Sequence, residues 1–342
     1  MYDLNSTINT FYRTHVRLGP ERRAELANYR DVNLARLNDG LDKLGAEKGK
    51  PYAHPIESLT QGGYAMHTLN QHPRNEYDID VAVIFLREDL PAYALEARKR
   101  VADAFLKAGG NFSKPPEART NAVTVWYAEG YHIDFAIYRQ YENQMGETVL
   151  EHAGADWRAT DPEKVTKWFS TEVKRLSPGQ ELGAKVEAGQ MRKVVRLLKA
   201  FGKSRDDWHL PGGMILSALV AERYAPDWYR DDVAFYNTLL AIRDRLALTE
   251  EVTNPVYPDQ KLTSKPEYLY QVRNLRNKLD EAVEHLAVLS DGECTDASAM
   301  NAWYWVFQHE FWRVEESEGG AEHTPSLLAR SRRDVRESPP FA

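Results

Sequence analysis

The stretch Tyr77-Asp-Ile-Asp-Val-Ala-Val-Ile-Phe85 decides the fold, because its apolar residues surround two aspartates in the pattern of a buried strand. Side chains alternate across a strand, so Asp78 and Asp80 share one face while Ile79 and Val81 face the other, toward a core. Two carboxylates on one face of a buried strand indicate a polar site at the surface of a sheet.

A second alternating run, Tyr131-His-Ile-Asp-Phe-Ala-Ile-Tyr138, carries Asp134. If this run pairs beside the first, three carboxylates converge, and their repulsion costs several kcal/mol at an effective dielectric constant of about 20. A divalent cation relieves that repulsion. Oxygen ligands in this number suit Mg²⁺ or Mn²⁺, which bind through a few carboxylates together with substrate phosphates.

A glycine-containing segment, Ser58-Leu-Thr-Gln-Gly-Gly-Tyr-Ala-Met-His-Thr68, lies just upstream of these strands. Gly62 and Gly63 adjoin a stretch with helix-forming character. Glycine lets backbone N–H groups approach a phosphate closely, and a following helix adds a favourable dipole. The order along the chain is therefore a phosphate-binding turn followed by a metal site.

This order resembles the DNA polymerase beta-like nucleotidyltransferases, whose pattern is Gly-Gly or Gly-Ser, then Asp-x-Asp, then a distal third aspartate on a neighbouring strand. Gly62-Gly63, Asp78-x-Asp80 and Asp134 match that pattern, with a slightly long connection over residues 64 to 77. Many members have serine at the position of Gly63. A hydroxyl contact to the triphosphate is therefore missing or supplied elsewhere, for which Thr68 is the candidate.

Within that superfamily the chain is most similar to the CD-NTases, the bacterial relatives of cyclic GMP-AMP synthase found in phage-defence operons. The resemblance spans roughly residues 55 to 312. Its specific part is the Gly-Gly to third-aspartate motif, and the later segments are only suggestive. The segments that carry it are Gln61-Gly-Gly-Tyr-Ala-Met-His-Thr68, Glu76-Tyr-Asp-Ile-Asp80, Arg192-Lys-Val-Val-Arg-Leu-Leu-Lys199, Leu210-Pro-Gly-Gly-Met-Ile-Leu216 and, more weakly, Asn254-Pro-Val-Tyr-Pro258 and Ala302-Trp-x-x-Val-Phe307.

The resemblance implies an enzyme that makes a cyclic di- or trinucleotide second messenger from ATP and/or GTP in anti-phage (CBASS) signalling, with two Mg²⁺ or Mn²⁺ ions. The product would act on a downstream effector. Asp78, Asp80 and Asp134 would be the catalytic and metal-binding residues, and Lys199 matches the lysine that contacts the donor triphosphate. The residues expected to bind nucleotide and phosphate are Gln61, Gly62, Gly63, Thr68, Lys199, Lys203, Gly213 and Met214.

Other interpretations remain open at this point. An isolated Asp-x-Asp is usually a solvated strand face, and Lys199 and Lys203 on one helix would ordinarily be a solvated basic face. The same chemistry would also suit a transferase that modifies an RNA end or a small molecule, although strong cationic tracts are lacking. An inactive nucleotide-binding pseudoenzyme is a further alternative, which the presence of all three aspartates disfavours.

Composition predicts a globular cytoplasmic protein. The chain has 342 residues, of which 42% are hydrophobic and 11% aromatic, and its net charge is −7. These values exclude general disorder and argue against constitutive nucleic-acid binding, which depends on Lys and Arg. No apolar stretch approaches the length of a membrane span. The start of the chain lacks the build of a signal peptide, and one cysteine, Cys294, forms no internal disulfide.

The pattern predicts an α+β fold, in which a polymerase beta-like core with a mixed sheet and an N-terminal spine helix precedes a helical second lobe. We expect a catalytic lobe over residues 1–160, a helical nucleotide-binding lobe over 161–317 and a flexible tail over 318–342. The spine helix is predicted over residues 20 to 46, where Pro20 suits a helix start. The tail ends in Pro339-Pro-Phe-Ala342. The family resemblance makes it a candidate for conjugation by an operon-encoded ubiquitin-transfer-like partner.

Overall fold

The computed structural model describes residues 1–71 and 76–314. The chain folds into a seven-stranded sheet with its long N-terminal helix, followed by a helical lobe. The helices are α1 (Asn5–Phe11), α2 (Pro20–Lys48), α3 (Gly62–Ala65), α4 (Ala94–Ala108), α5 (Pro162–Leu176), α6 (Gln190–Gly202), α7 (Gly213–Arg223), α8 (Asp231–Leu248), α9 (Pro266–Leu286) and α10 (Asp296–Phe307). The strands are β1 (Glu57–Thr60), β2 (Asp78–Leu86), β3 (Phe112–Ala118), β4 (Val123–Tyr127), β5 (His132–Glu142), β6 (Thr148–Ala153) and β7 (Trp157–Ala159).

The sheet is mixed, in the order β1-β2-β5-β4-β3, with β6 paired to the far half of β5 and β7 paired to β6. Its two central strands, β2 and β5, run parallel and place Asp80 opposite Asp134 and Asp78 opposite His132. The other pairs are antiparallel. This register brings the two aspartate-bearing runs side by side, as the alternating pattern predicts.

The strands also bury the face that the sequence assigns to the core. Ile79, Val81, Ile133 and Phe135 are fully buried and pack with α2 and α4 in one hydrophobic cluster. The spine helix is confirmed and extends to Lys48, where Gly49 ends it in a left-handed conformation with φ of 66°. The predicted α+β fold class, with a sheet, a spine helix and a helical lobe, is therefore what the structure shows.

A second and larger cluster forms the core of the helical lobe, built mainly from α5 to α10. Ile8, Phe11, Tyr12 and Val16, from α1 and the π-helical segment Tyr12–Val16 that follows it, belong to this cluster. The N-terminal segment thus packs on the helical lobe, whereas the predicted catalytic lobe begins at residue 1. The predicted division at residue 160 stays a proposal. The N-terminal segment precedes the catalytic lobe in the chain but packs against the helical lobe.

Four strands of the sheet are absent from the sequence interpretation. β1 is only four residues long and lies at a sheet edge, and β3 contains Pro115-Pro116, which confines it to the other edge. The short β6 pairs with β5, and β7 pairs with β6, so both widen the sheet beside β5.

The predicted tail, residues 318–342, lies outside the described residues. Among the described helices, none combines the length and the apolar character that crossing a bilayer requires.

Candidate active site

A cluster of ligating side chains lies where β2 and β5 begin. Asp78, His132 and Asp134 each offer one ligand atom, and these atoms all lie within 4.8 Å of one another. His132 Nε2 lies 3.3 Å from Asp78 Oδ1, which raises the pKa of the imidazole. Asp78 is exposed, whereas His132 and Asp134 are half-buried. The cluster therefore opens to solvent on one side.

Asp80 lies deeper than its partners, and its side chain is directed at the backbone of Gly62. Burial, then the negative charges of Asp78 and Asp134, together raise the pKa of Asp80 to about 7. Burial also raises the pKa of Asp134, although the Thr124 hydroxyl donates a hydrogen bond to Asp134 Oδ1 and opposes that effect. The carboxylates thus repel one another in the absence of a compensating cation.

These residues fit a divalent cation by their chemistry. Three neighbouring carboxylates are a donor set that suits Mg²⁺ or Mn²⁺, whereas imidazole is a ligand for softer metals. Asp78 and Asp134 would hold the cation directly. Asp80 is not a member of the compact group, because its oxygens point toward Gly62. Its role as a ligand remains a prediction.

Gly62 is required by its surroundings. Its φ of 57° is left-handed, and a β-carbon there would overlap the carboxylate of Asp80. The amide of Gln61 also donates a hydrogen bond of 2.9 Å to the carbonyl of Asp80. The glycine turn is therefore fitted directly against the aspartate strand, as expected for two parts of one site.

Gly63, the position at which the sequence departs from serine, is crowded. A β-carbon there would lie 3.0 Å from Leu69 Cδ2 and 3.5 Å from Lys199 Nζ. The first distance is tighter than ordinary van der Waals contact, so Leu69 would have to move. This crowding gives a local steric reason for glycine at this position.

Lys199 reaches the glycine turn from the helical lobe. Its ammonium group donates a hydrogen bond of 2.8 Å to the carbonyl of Thr68. The side chain also passes close to Gly213, at the start of α7, where an added β-carbon would lie 3.3 Å from Lys199 Nζ. Burial, then the charges of Lys203 and Arg196, lower the pKa of Lys199 to about 8. The head of Lys199 is half-buried between two glycine positions, which disfavours the alternative of a solvated basic face.

The remaining predicted residues lie in different surroundings. Lys203 is exposed one turn beyond Lys199, and Met214 is half-buried in α7. Gln61 Nε2 donates to Tyr138 Oη at 3.3 Å. Thr68 is fully buried, and its Oγ1 has no hydrogen-bond partner within the described residues. That burial disfavours Thr68 as the replacement for the missing serine hydroxyl, so its phosphate contact stays a prediction.

Two residues of the site were missed from sequence. His132 lies two positions before Asp134, on the same strand face, and the alternation that identified Asp134 also indicated it. Thr124 lies opposite Asp134 on β4 and is fully buried. Its contribution depends on the β4–β5 register, which pairs Thr124 with Asp134 and which no local motif around Thr124 indicates.

Lys199→Ala is expected to lower kcat/KM for nucleotide by about 10- to 100-fold, because it removes a charge placed beside the glycine turn. Its effect on unfolding should stay within about 1 kcal/mol, since the lost hydrogen bond is offset by relief of a desolvated charge. The lysine loses its proton as pH rises through about 8. The wild-type profile of kcat/KM should therefore fall in that range, and the variant profile should not.

Initial rates measured from pH 6 to 10 check this, with Lys174→Ala, at an exposed position on α5, as the matched control. Equal losses in the two variants, or an unchanged pH profile for Lys199→Ala, would contradict a role for the Lys199 charge in nucleotide binding.

Comparison with known proteins identifies a domain model that matches the part of the chain carrying the site. Residues 57–138, which include the glycine turn and all three aspartates, match the nucleotidyltransferase domain of cyclic GMP-AMP synthase DncV-like proteins. The match covers β1, β2 and β5 up to Tyr138, the strands that build the site.

Solved structures extend the likeness to most of the chain. Vibrio cholerae DncV cyclic AMP-GMP synthase, in complex with the linear intermediate 5′ pppA(3′,5′)pG, aligns with a TM-score of 0.67 and 18% identity over 90% of this chain and 96% of that one. The Bradyrhizobium diazoefficiens CD-NTase CdnG in complex with GTP aligns with a TM-score of 0.65 and 15% identity over 91% and 97%. Escherichia coli DncV in its 3′-deoxy GTP bound form gives 0.64 and 16% over 92% and 96%.

At identities this low, the structural alignments establish the fold alone. The match over residues 57–138 adds that the domain carrying the site is similar to a nucleotidyltransferase domain. The chain therefore has the fold of the CD-NTases, and its residues 57–138 are a DncV-like nucleotidyltransferase domain.

Proposed function

We propose that this protein is a metal-dependent nucleotidyltransferase that makes a cyclic di- or trinucleotide from ATP and/or GTP. The observation that carries the proposal is the convergence of Asp78 and Asp134 beside a glycine turn fitted against Asp80. The solved relatives hold nucleotides: DncV was solved with a linear dinucleotide intermediate, and CdnG with GTP. A pseudoenzyme would have no need to keep this set of mutually repelling carboxylates.

In the proposed reaction, a ribose hydroxyl attacks the α-phosphorus of a nucleoside triphosphate. A new P–O bond forms, the bond to the β-phosphate breaks, and pyrophosphate leaves. Two divalent cations, when bound, would neutralise charge on the attacking and leaving oxygens. Asp134 would help to hold one cation and, near the attacking hydroxyl, would favour its deprotonation.

The other residues position the triphosphate. The backbone of Gly62 and Gly63 would contact the β- and γ-phosphates, and Lys199 would neutralise them from the helical lobe. Lys199 is held by its bond to the Thr68 carbonyl, so its ammonium group is already oriented before substrate arrives. A second transfer within the same cleft would close the ring. We further propose that the product is the messenger of an anti-phage (CBASS) system and acts through a downstream effector.

Incubation of the purified protein with labelled ATP, GTP or both and Mg²⁺, followed by phosphatase, tests the proposal. A cyclic product keeps its label in a phosphatase-resistant spot, because it has no terminal phosphate. Parallel reactions with an RNA primer or with small-molecule acceptors test the alternative transferase. Label incorporated only into those acceptors would favour that alternative, and no incorporation in any reaction would favour a pseudoenzyme.

A separate proposal concerns residues 318–342, which lie outside the described part of the chain. We propose that the terminus is joined to another molecule by a ubiquitin-transfer-like partner. Deleting Phe341 and Ala342 should then leave nucleotide turnover in vitro unchanged and abolish covalent conjugates in cells that carry the native operon. Loss of turnover in the truncated protein would contradict this role for the end of the chain.

A further inference from the structure

A group of basic side chains lies at the junction of the two lobes, beyond the glycine turn. Arg23 comes from α2, His67 follows α3, and Arg192 and Arg196 come from α6. Arg192 Nε donates a hydrogen bond of 3.2 Å to the carbonyl of Met66, directly before His67. The Arg23 guanidinium lies 3.9 Å from the ring centre of Tyr64. We call these four residues the junction cluster.

The junction cluster has no anionic partner in residues 1–71 and 76–314, where none of its arginines lies within 4 Å of a carboxylate. Arg196 is the most notable member, because it is only 8% exposed and its Nε has no hydrogen-bond partner there, although its Nη1 donates a hydrogen bond to the Tyr12 hydroxyl. The same helix shows the usual solution three residues before Arg196, where a buried cation has a carboxylate partner. Lys193 is equally buried and lies 2.7 Å from the buried Asp231. Leaving a buried guanidinium without such a partner is costly.

The charges act on one another. Burial and the charges of Arg23, Arg192 and Arg196 together lower the pKa of His67 to about 4. Burial and the charge of Arg196 lower the pKa of Arg192 as well. His67 also has a left-handed backbone, with φ of 55°, a conformation that non-glycine residues keep mostly where the surroundings impose it. The cluster is therefore a fixed concentration of positive charge.

We propose that the junction cluster is a second anion-binding site, which takes the phosphate chain of a nucleotide or of a free polyphosphate and is distinct from the donor site at Gly62 and Lys199. Arginine suits this ligand because its planar fork pairs bidentately with phosphate oxygens. Arg23 and Arg192 are half-buried and His67 is exposed, so an anion has access to them from solvent, whereas Arg196 is buried one turn beyond Arg192 on α6. The site joins α2 of the catalytic core to α6 of the helical lobe, so a bound anion holds the lobes together.

Thermal unfolding in EDTA, with and without inorganic tripolyphosphate, tests this without relying on catalysis. Tripolyphosphate should raise the wild-type melting temperature by about 3 °C or more at saturation. Arg23→Gln combined with Arg192→Gln should abolish the rise, and Arg13→Gln, an exposed arginine paired with Glu187, should keep it. Lys199→Ala should also keep it. Replacing tripolyphosphate with ATP or GTP in EDTA shows whether a nucleotide supplies the phosphate chain.

Histidine NMR gives an independent readout. A bound anion offsets the arginine charges, so the pKa of His67 should rise from about 4 by one unit or more on adding tripolyphosphate. The rise should be absent in the Arg23→Gln and Arg192→Gln double variant. No change in melting temperature or in the His67 titration would overturn the proposal. A melting rise lost only in Lys199→Ala would also overturn it, because the anion would then bind at the donor site alone.

Discussion

Asp78→Asn combined with Asp80→Asn is expected to lower nucleotide turnover at least about a thousandfold, because it removes the charges that would hold a divalent cation at the reacting phosphate. The same variant should unfold at a higher temperature than the wild type in EDTA. Burial and neighbouring negative charge raise the pKa of Asp80 from 3.8 to about 7, so its ionised form is disfavoured in the folded protein.

The sign of the stability effect follows from that shift. The folded state binds a proton on Asp80 more tightly than the unfolded state does, so the wild type loses stability as pH rises from about 4 to about 7. The gain in the variant should therefore be full at pH 8 and absent below pH 4. Asp103→Asn, at an exposed position on α4, is the matched control and should change neither quantity. Appreciable turnover in the double variant would remove the metal assignment.

Gly62→Ala is expected to reduce both stability and turnover. The substitution places a β-carbon on a left-handed backbone and against the Asp80 carboxylate, which together cost about 2–4 kcal/mol of unfolding free energy. Relief of the overlap must move either the glycine turn or Asp80, so turnover should fall about a hundredfold or more. Circular dichroism melts and initial rates measure the two effects.

Gly49→Ala separates strain from overlap. Gly49 has a similar left-handed φ of 66°, but a β-carbon there would meet nothing within 4 Å. That variant should lose only about 1 kcal/mol of stability and keep its turnover. If Gly62→Ala behaves like Gly49→Ala, the close fit between the glycine turn and the aspartate strand has no functional meaning.

The central part of the fold could be predicted because its signals are local. The alternation around Asp78, Asp80 and Asp134 identifies two strands and the face they share, and Pro20 marks the start of the spine helix. Edge strands such as β1 and β3 were missed, since exposed positions and prolines weaken the alternation that reports burial. The placement of α1 on the helical lobe depends on contacts far apart in sequence, which no local pattern encodes.

The candidate site was predicted in the same uneven way. Its aspartates and glycines followed from spacing and resemblance, because each sits on a strand or turn with a recognisable pattern. The half-burial of Lys199 and the full burial of Thr68 were not predicted, since both depend on how α6 packs against the glycine turn. The junction cluster was missed for the same reason, as its arginines come from helices about 170 residues apart in the chain.

A crystal of the protein grown with Mn²⁺ and a non-hydrolysable ATP analogue, measured at the manganese absorption edge, tests the central claim most directly. The account predicts anomalous density between Asp78, Asp80 and Asp134, with the triphosphate against Gly62 and Gly63 and Lys199 within hydrogen-bond distance of it. Binding of Mn²⁺ by Asp80 requires its carboxylate to turn from Gly62 toward the cation. Manganese held by His132 and Asp78 without Asp80, or a triphosphate bound away from the glycine turn, would contradict it.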